Sequence, residues 1–278
     1  MQKITLTFCY WQQDDTRINK QNKIMQDLTI GGHSVRVYDS IEDLPIVRYN
    51  KFMKCLLIDA GVGGDLASVD RHLYKAKTYI RTGKAELAEM ELENLRQNIL
   101  FISNNITPRL LAFSALVAEI DGKAQTDTTD GGLQKVADML RDATRRDVEN
   151  AVDAQKKKID DELHLYFADL FNDESDREYY DLLKERTNAI LKGIRDGEDN
   201  AETVQRLTER VMLHVKPKAF QGKDSAEIRF EKNFEKLCLR LSEYTNQNVK
   251  SLTVMAFYNL YEYAKEQIKI KQKELKKK

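Results

Sequence analysis

The most apolar and most regularly patterned part of the chain spans residues 44–122. Its hydrophobic positions recur every three to four residues, a spacing that predicts amphipathic helices. Gly61, Gly63 and Gly64, the turn Thr82-Gly83-Lys84 and the dipeptide Thr107-Pro108 separate four such helices. We expect buried rows of Ile46, Tyr49, Met53, Leu56, Leu57 and Ala60 in the first helix, Val69, Leu73, Ala76, Tyr79 and Ile80 in the second, and Leu87, Met90, Leu92, Leu95, Ile99 and Ile102 in the third.

The fourth helix of this region is apolar on nearly every side. Leu110, Leu111, Phe113, Leu116 and Val117 are its main hydrophobic residues. A helix without a polar face belongs in the middle of a bundle. The short connections between the four helices predict that consecutive helices run antiparallel.

Two short segments before this region alternate between polar and apolar residues, as strands do. Residues 4–10 read ITLTFCY, and residues 34–38 read SVRVY after the turn Ile30-Gly31-Gly32-His33. The two predicted strands would form a small hairpin, which is marginally stable unless it packs against something else. We therefore expect an N-terminal β arm.

The second half of the chain is also predicted to be helical. Residues 121–132 form a polar, glycine-containing break, and a short helix follows at 133–140. Residues 147–170 show heptad-like spacing, which predicts a long exposed helix or a two-helix coiled coil. Further amphipathic helices are predicted at residues 179–194, 201–215, 228–244 and 252–273.

These elements predict a mainly α fold: a multi-helix bundle with a small N-terminal β-hairpin arm and long amphipathic helices. We divide the chain into the arm (residues 1–40), a helical core bundle (41–123), an extended helical or coiled-coil region (124–222) and a C-terminal helical pair with a basic tail (223–278). Only three prolines in 278 residues agree with long uninterrupted helices.

Net charge, cysteine spacing and the length of the apolar stretches limit the classes of protein to which this chain could belong. Lysine plus arginine equals aspartate plus glutamate, at 45 each, so no overall charge favours nucleic acid or membrane. Cys9, Cys55 and Cys238 are widely spaced and form no CxxC pair, which indicates a reducing compartment. No stretch approaches the roughly 20 apolar residues of a membrane span, and the N-terminus does not resemble a signal peptide.

The residues suggest no reaction chemistry. The glycine-rich turn Asp59-Ala60-Gly61-Val62-Gly63-Gly64-Asp65 could cradle a phosphate, but no Lys-Ser/Thr follows it and a helix–turn–helix junction fits it better. His33, His72, His164 and His214 do not pair at metal-ligand spacing. We therefore predict no catalytic, cofactor-binding or metal-binding residues, no cofactor and no enzymatic activity.

Charge is uneven along the chain, although its sum is zero. From residue 265 onward the sequence reads KEQIKIKQKELKKK, with seven lysines against two glutamates. Such a tail suggests a weak, non-specific contact with DNA phosphates, or simply a solvated helix end whose cations favour the helix C-terminus. The amphipathic helices suggest surfaces for self-association or for contact with a scaffold.

Two blocks of the sequence support a resemblance. VRVYDSIEDLPIVRYNKFMKCLLIDAGVGGDLASVDRHLYKAKTYIR, continuing through AELAEMELENLRQNILFISNNITPRLLAFSALVAEIDGK, resembles proteins encoded among the virion genes of tailed phages of Bacteroidetes, including crAss-like phages. This block covers residues 35–123, and residues 228–268 are similar to the closing segment of such proteins. The resemblance lies in core and turn residues, and it contains no enzymatic motif.

The resemblance implies a structural component of a phage particle. We expect a homo-oligomeric ring or collar protein at the portal–neck–tail junction, in contact with other virion proteins such as portal or tail components. Its location would be the virion, and the host cytoplasm during assembly. The alternatives are a tail assembly chaperone or a packaged cargo protein outside the neck. An enzyme or nucleotide-binding protein that uses the turn from Asp59 to Asp65 is a third hypothesis.

Overall fold

The computed structural model describes residues 25–171, 177–197, 199–214, 218–220, 222 and 225–275. Within these residues the chain forms eleven α-helices and one four-stranded antiparallel sheet. The prediction of a mainly α fold with a small N-terminal hairpin is confirmed.

The N-terminal hairpin joins β1 (Met25–Ile30) to β2 (His33–Tyr38). Gly31 and Gly32 form the two-residue turn, with φ of 58° and 83°. Positive φ at both central positions gives a turn whose twist matches that of paired strands, and glycine adopts it without steric cost. The predicted turn is confirmed, but the strand that follows it pairs with β1. The predicted strand at residues 4–10 lies outside the described residues.

Two further strands extend the hairpin into a sheet with the order β1-β2-β3-β4. Strand β3 (Val117–Ile120) pairs with β2, and the short β4 (Lys123–Ala124) pairs with β3. Val117 was expected to be helical, and this expectation is wrong. The side chain of Val117 is fully buried and its backbone pairs with Val37, so pairing in the sheet overrides the helical pattern that precedes it.

Four helices lie between β2 and β3 along the chain, and all of their predicted boundaries are confirmed except the end of the fourth, which stops at Leu116. They are α1 (Ile46–Gly61), α2 (Leu66–Arg81), α3 (Ala85–Asn104) and α4 (Pro108–Leu116). Asp65 caps α2 by accepting from the Ser68 amide at 2.5 Å, and Thr107 caps α4 by accepting from the Leu110 amide at 3.1 Å. Helix α4 is almost entirely buried and packs against three other helices, as expected for the middle of a bundle.

The remaining helices follow in chain order: α5 (Asp130–Met139), α6 (Arg145–Tyr166), α7 (Ala168–Phe171), α8 (Arg177–Asp196), α9 (Ala201–His214), α10 (Ala226–Leu241) and α11 (Val254–Leu275). Helix α6, whose heptad-like spacing suggested an exposed helix or a coiled coil, buries one row in the main core. This row consists of Val148, Val152, Ile159 and Leu163. Helices α8 and α9 pack chiefly against each other.

The main core links the beginning and the end of the described chain. Its buried residues range from Ile30 in β1 to Ala264 in α11. The segment before α11 also hydrogen-bonds to the segment before α1: the Val254 amide donates to the Leu44 carbonyl and the Ile46 amide to the Leu252 carbonyl, each at 2.9 Å. The proposed division into four sequence segments stays a prediction.

Arg48 is a buried cation in the middle of the core. Its guanidinium donates to the carbonyls of Ala115 (3.2 Å) and Val117 (2.9 Å) and to the carbonyl of Gln125. The first two carbonyls belong to the C-terminal end of α4, where the helix dipole is negative. Burial lowers the pKa of Arg48, although the nearby Tyr38 acts in the opposite direction. Arg48 thus fastens α1 to the point where α4 continues into the sheet.

Candidate functional site

The glycine-rich turn between α1 and α2 is a tightly packed helix junction. Gly63 has a φ of 76°, and a Cβ there would stand 2.2 Å from the Ser68 hydroxyl. A Cβ at Gly64 would lie 3.0 Å from Thr107. The Asp65 carboxylate already accepts the amide hydrogen that a phosphate would take at the start of α2. Local packing therefore accounts for these glycines.

A cleft of about 230 Å³ lies beside this turn, and charged side chains from four helices line it. Arg109 in α4 lies 2.9 Å from Asp59 in α1 and 2.7 Å from Asp153 in α6. Arg145 in α6 lies 2.5 Å from the Asp65 carboxylate and 2.7 Å from Glu149. Because these cations and carboxylates are paired with one another, the side chains beside the cleft form an ion-pair network that joins the helices.

The pKa values of two carboxylates in this network, Asp59 and Asp65, are shifted in opposite directions. Burial raises the pKa of Asp59 and outweighs the opposing attraction of Arg109. Burial also acts to raise the pKa of Asp65, but hydrogen bonds from Ser68 and the interaction with Arg145 prevail and lower it to about 2. Asp65 is therefore ionised at neutral pH, and its carboxylate already interacts with Ser68 and Arg145.

The histidines and cysteines whose side chains the structure describes do not converge. His33 pairs with Asp121 at 2.7 Å beside the β-turns, and His164 contacts the Asp160 carbonyl at 2.7 Å in α6. Cys55 and Cys238 are buried free thiols, and burial raises the pKa of Cys55 to about 12. Within the described parts of the chain, no group of three or more His, Cys, Asp or Glu side chains could hold a metal ion.

His72 and Glu91 form a buried polar pair between α2 and α3. His72 Nδ1 lies 2.5 Å from the Glu91 carboxylate, and His72 Nε2 donates to the Val62 carbonyl at 2.8 Å. Their side chains are 1% and 2% exposed. Both ring nitrogens therefore face hydrogen-bond acceptors, the Glu91 carboxylate and the Val62 carbonyl. Lys75 approaches the other Glu91 oxygen at 3.5 Å.

The rest of the contact between α2 and α3 is equally unusual. The residues buried in this helical hairpin are mostly polar or small. They are Ser68, His72, Ala76, Thr78 and Tyr79 in α2 and Ala88, Glu91, Asn94 and Asn98 in α3. Asn98 donates to the Asp65 carbonyl and Asn94 to the Lys218 carbonyl, each at 3.1 Å. The polar row therefore satisfies backbone groups inside the protein.

Several large apolar side chains of the same two helices are nevertheless exposed. We call the five residues Leu66, Leu73, Ile80, Leu92 and Ile99 the exposed seam. Leu66 is 74% exposed and Ile80 62%, and the other three are at least a third exposed. The expectation that Leu73, Ile80, Leu92 and Ile99 are buried is wrong. Polar groups that bond to each other and to nearby backbone occupy the inner row instead.

The seam residues of the two helices lie on one side of the hairpin. Each α-helical residue turns about 100° from the one before, which places the seam about 100° around from the buried polar row on each helix. On both helices, viewed from the N-terminus of each, the rotation from the buried polar row to the seam runs in the same direction. Because the helices run antiparallel, that shared sense brings both rows to the same face.

The C-terminal helix carries the described part of the basic tail. Beyond Ala264, most residues of α11 are exposed, including Ile268, Ile270 and the lysines between residues 265 and 273. Lys271 lies over the ring of Tyr244 with its Nζ 5.7 Å from the ring centre. The helix therefore extends a cationic surface with exposed isoleucines away from the core.

No single helix of the described chain is long and apolar enough to cross a membrane; α3 and α4 meet that length and composition only together, and they are bent by 66° where they join. Comparison of the chain with protein-family models, with curated proteins and with solved structures finds no match. The resemblance to phage virion proteins stays a hypothesis.

Proposed function

We propose that this protein is a non-enzymatic structural subunit that assembles through helix–helix contacts. The observation that carries the proposal is the exposed seam over a polar helix–helix contact. A monomeric soluble protein would be expected to bury the leucines and isoleucines of α2 and α3 and to expose their polar rows. The reverse arrangement fits a surface that another polypeptide covers.

The ion-pair network supports the same proposal. Asp59 is paired with Arg109 and Asp65 with Arg145, so the two arginines beside the glycine-rich turn already have carboxylate partners. The cleft beside them is small and its charges balance. These features serve to hold four helices in a fixed arrangement, as a rigid building block requires.

Together with the sequence resemblance, these features lead us to propose a component of a tailed-phage particle. Its most specific form is a homo-oligomeric ring or collar at the portal–neck–tail junction, in contact with portal or tail proteins. It would be found in the virion and, during assembly, in the host cytoplasm.

Quantitative mass spectrometry of purified particles tests this proposal. We expect the protein at a fixed copy number per particle, in a simple ratio to the portal protein. Gold-labelled antibody in electron micrographs should mark the head–tail junction. Absence of the protein from finished particles would contradict the structural role, and its presence in the lysate alone would favour the assembly chaperone. Label inside the head would favour packaged cargo.

The basic end of α11 supports a second, weaker contact, with DNA phosphates. Because such binding releases counterions, its affinity should fall steeply as salt rises. Fluorescence anisotropy with a short duplex of arbitrary sequence measures this dependence. A variant with Lys265, Lys269 and Lys273 changed to glutamine should bind more weakly and with a smaller salt slope. Equal DNA affinity of the wild-type protein and the variant would contradict a role of the tail in DNA binding.

A further inference from the structure

The exposed seam has a definite register. Asn98 hydrogen-bonds to the Asp65 carbonyl, and His72 pairs with Glu91, which fixes the level of each α2 residue along α3. In this register Leu66 lies level with Ile99, and Leu73 lies level with Leu92. Successive seam residues on each helix are two turns apart, which is the repeat of a coiled-coil seam.

Charged residues border the seam on both sides, about 50° further around each helix. Asp70 and Lys77 lie on the α2 border, and Glu89 and Arg96 lie on the α3 border. By the same register, Asp70 is nearly level with Arg96, and Lys77 is nearly level with Glu89. The two borders therefore carry opposite charges at each level.

Most of these border residues have no ion-pair partner within the described chain. Asp70, Lys77 and Glu89 form no ion pair there, and Arg96 pairs only with Glu93 on its own helix. The two helices also differ in total charge. Helix α2 carries Asp70 against Arg71, Lys75, Lys77 and Arg81, whereas α3 carries Glu86, Glu89, Glu91 and Glu93 against Arg96.

We propose that a second copy of this chain covers the exposed seam. The two hairpins pack face to face about a two-fold axis parallel to the helices, so that α2 of each copy lies on α3 of the other. Such an axis leaves every residue at its own level. Leu73 then meets Leu92 of the second copy, Asp70 meets its Arg96, and Lys77 meets its Glu89.

The helix charges select this arrangement over the other two-fold possibility. An axis perpendicular to the helices would place α2 on α2 and α3 on α3. Two basic helices and two acidic helices would then face each other, which costs free energy. Placing α2 on α3 joins a basic helix to an acidic one in both halves of the contact.

The size of the face predicts a modest affinity. Helix α2 has 16 residues and is about 24 Å long, and two helices side by side are about 20 Å wide. This face is smaller than the roughly 800 Å² per partner of a standard stable interface. We therefore expect a dimer that dissociates at low concentration. A two-fold contact also closes on itself, so a ring would need a second, different contact.

Sedimentation velocity of the full chain over a concentration series tests the proposal. We expect a monomer–dimer equilibrium that Leu73→Glu weakens by about a hundredfold or more, because the change places a charge at the centre of the apolar contact. Leu165→Glu is the matched control, since Leu165 is a 75% exposed leucine on α6. It should leave dimerisation unchanged. A wild-type chain that stays monomeric up to its solubility limit overturns the proposal, and the seam is then covered by another protein or by residues 1–24.

Charge reversal tests the arrangement. Lys77→Glu and Glu89→Lys should each weaken dimerisation by about tenfold, since each creates two like-charge contacts per dimer. The double variant should restore most of the affinity, because the pair is reversed but intact. A double variant weaker than either single variant would overturn the α2-on-α3 packing, since it is the result expected when Asp70 faces Lys77.

A cross-link provides a measurement that does not depend on these energies. In a Cys9→Ser background, the double variant Lys77→Cys with Glu89→Cys should form a covalent dimer under mild oxidation, and each single cysteine should not. Absence of the cross-linked dimer counts against the proposal. The inference rests on the proposed function only in that both take the exposed seam to be covered by another polypeptide. A dimer absent from phage particles would contradict the function alone, and a monomer present in particles would contradict the inference alone.

Discussion

At the scale of single residues, several polar side chains are buried and each has a defined partner. Arg48 donates hydrogen bonds to backbone carbonyl groups, and His72 pairs with the Glu91 carboxylate. Removing one member of a buried pair leaves a desolvated charge, which is far more costly than losing an exposed ion pair. These residues therefore matter for folding even though none of them binds a ligand in the proposed function.

The His72–Glu91 pair gives the first prediction. Glu91→Leu should lower the free energy of unfolding by about 3–5 kcal/mol, because His72 keeps its burial but loses its partner. Adding His72→Leu should recover a large part of the loss, since two apolar residues leave no unpaired charge. Urea unfolding measures both variants. Glu86→Leu, an exposed change on the same helix, should stay within about 0.5 kcal/mol of the wild type. A mild effect of Glu91→Leu would contradict a buried ionic pair.

Asp65 gives a pH prediction. Its pKa is about 2 in the folded chain and near 3.8 when unperturbed, so the unfolded state takes up the proton first. The stability that Asp65 contributes is complete above about pH 4 and is lost as pH falls toward about 2. Asp65→Asn keeps the helix cap but loses the charge, so its unfolding free energy should depend less on pH across this window. A pH dependence equal to that of the wild type would contradict the assignment.

At the scale of elements, the periodicity of the sequence located the helices well but misassigned part of the buried row in two of them: Ala76 and Tyr79 are buried as predicted, whereas four apolar residues of α2 and α3 are exposed. The boundaries of α1, α2 and α3 and the start of α4 follow from glycines, a proline and capping residues that act locally, whereas the end of α4 is set by the pairing of β3 with β2. Which row of α2 and α3 is buried depends on the partner across the contact. Glu91, Asn94 and Asn98 repeat every three to four residues and could have indicated a second, polar row. Their hydrogen-bond partners lie far away in sequence.

The junction between α1 and residues 218–220 gives a prediction at this scale. A Cβ at Gly61 would stand 2.1 Å from the Phe220 ring, which packs on Val62. Gly61→Ala should therefore cost about 1–3 kcal/mol of stability despite the better helix propensity of alanine. Gly131→Ala, whose Cβ would meet nothing closer than 3.8 Å, serves as the control and should be neutral or slightly stabilising. Thermal unfolding followed by circular dichroism compares the two. Equal melting temperatures would contradict the close approach of Phe220.

At the scale of the whole molecule, the C-terminal helical pair shares the core of the N-terminal bundle. Phe257 in α11 is 2% exposed and packs against Phe234 in α10 and Tyr258. The strand-like bridge between Pro45 and Thr253 fixes the same region to the start of α1. We therefore expect these distant segments to unfold together.

Phe257→Ala tests this cooperativity. The change should cost about 3–5 kcal/mol, as truncation of a buried aromatic residue usually does. Amide hydrogen exchange should rise in α4 as well as in α10 and α11, because all three belong to one core. Tyr263→Ala, at a half-exposed position on the same helix, should leave exchange in α4 unchanged. Faster exchange confined to α10 and α11 would instead indicate a separate folding unit.

The sequence by itself determined what depends on near neighbours in the chain: the helical class, the turn at Gly31 and Gly32, the helix caps and the burial of α4. These features arise from backbone preferences and short-range periodicity. Only the tertiary structure decided that β2 pairs with β1 and β3, that α6 packs into the core, and that α2 and α3 turn their apolar seam outward. Periodicity reports that a helix has two different faces, but contacts between residues far apart in sequence select which one is buried.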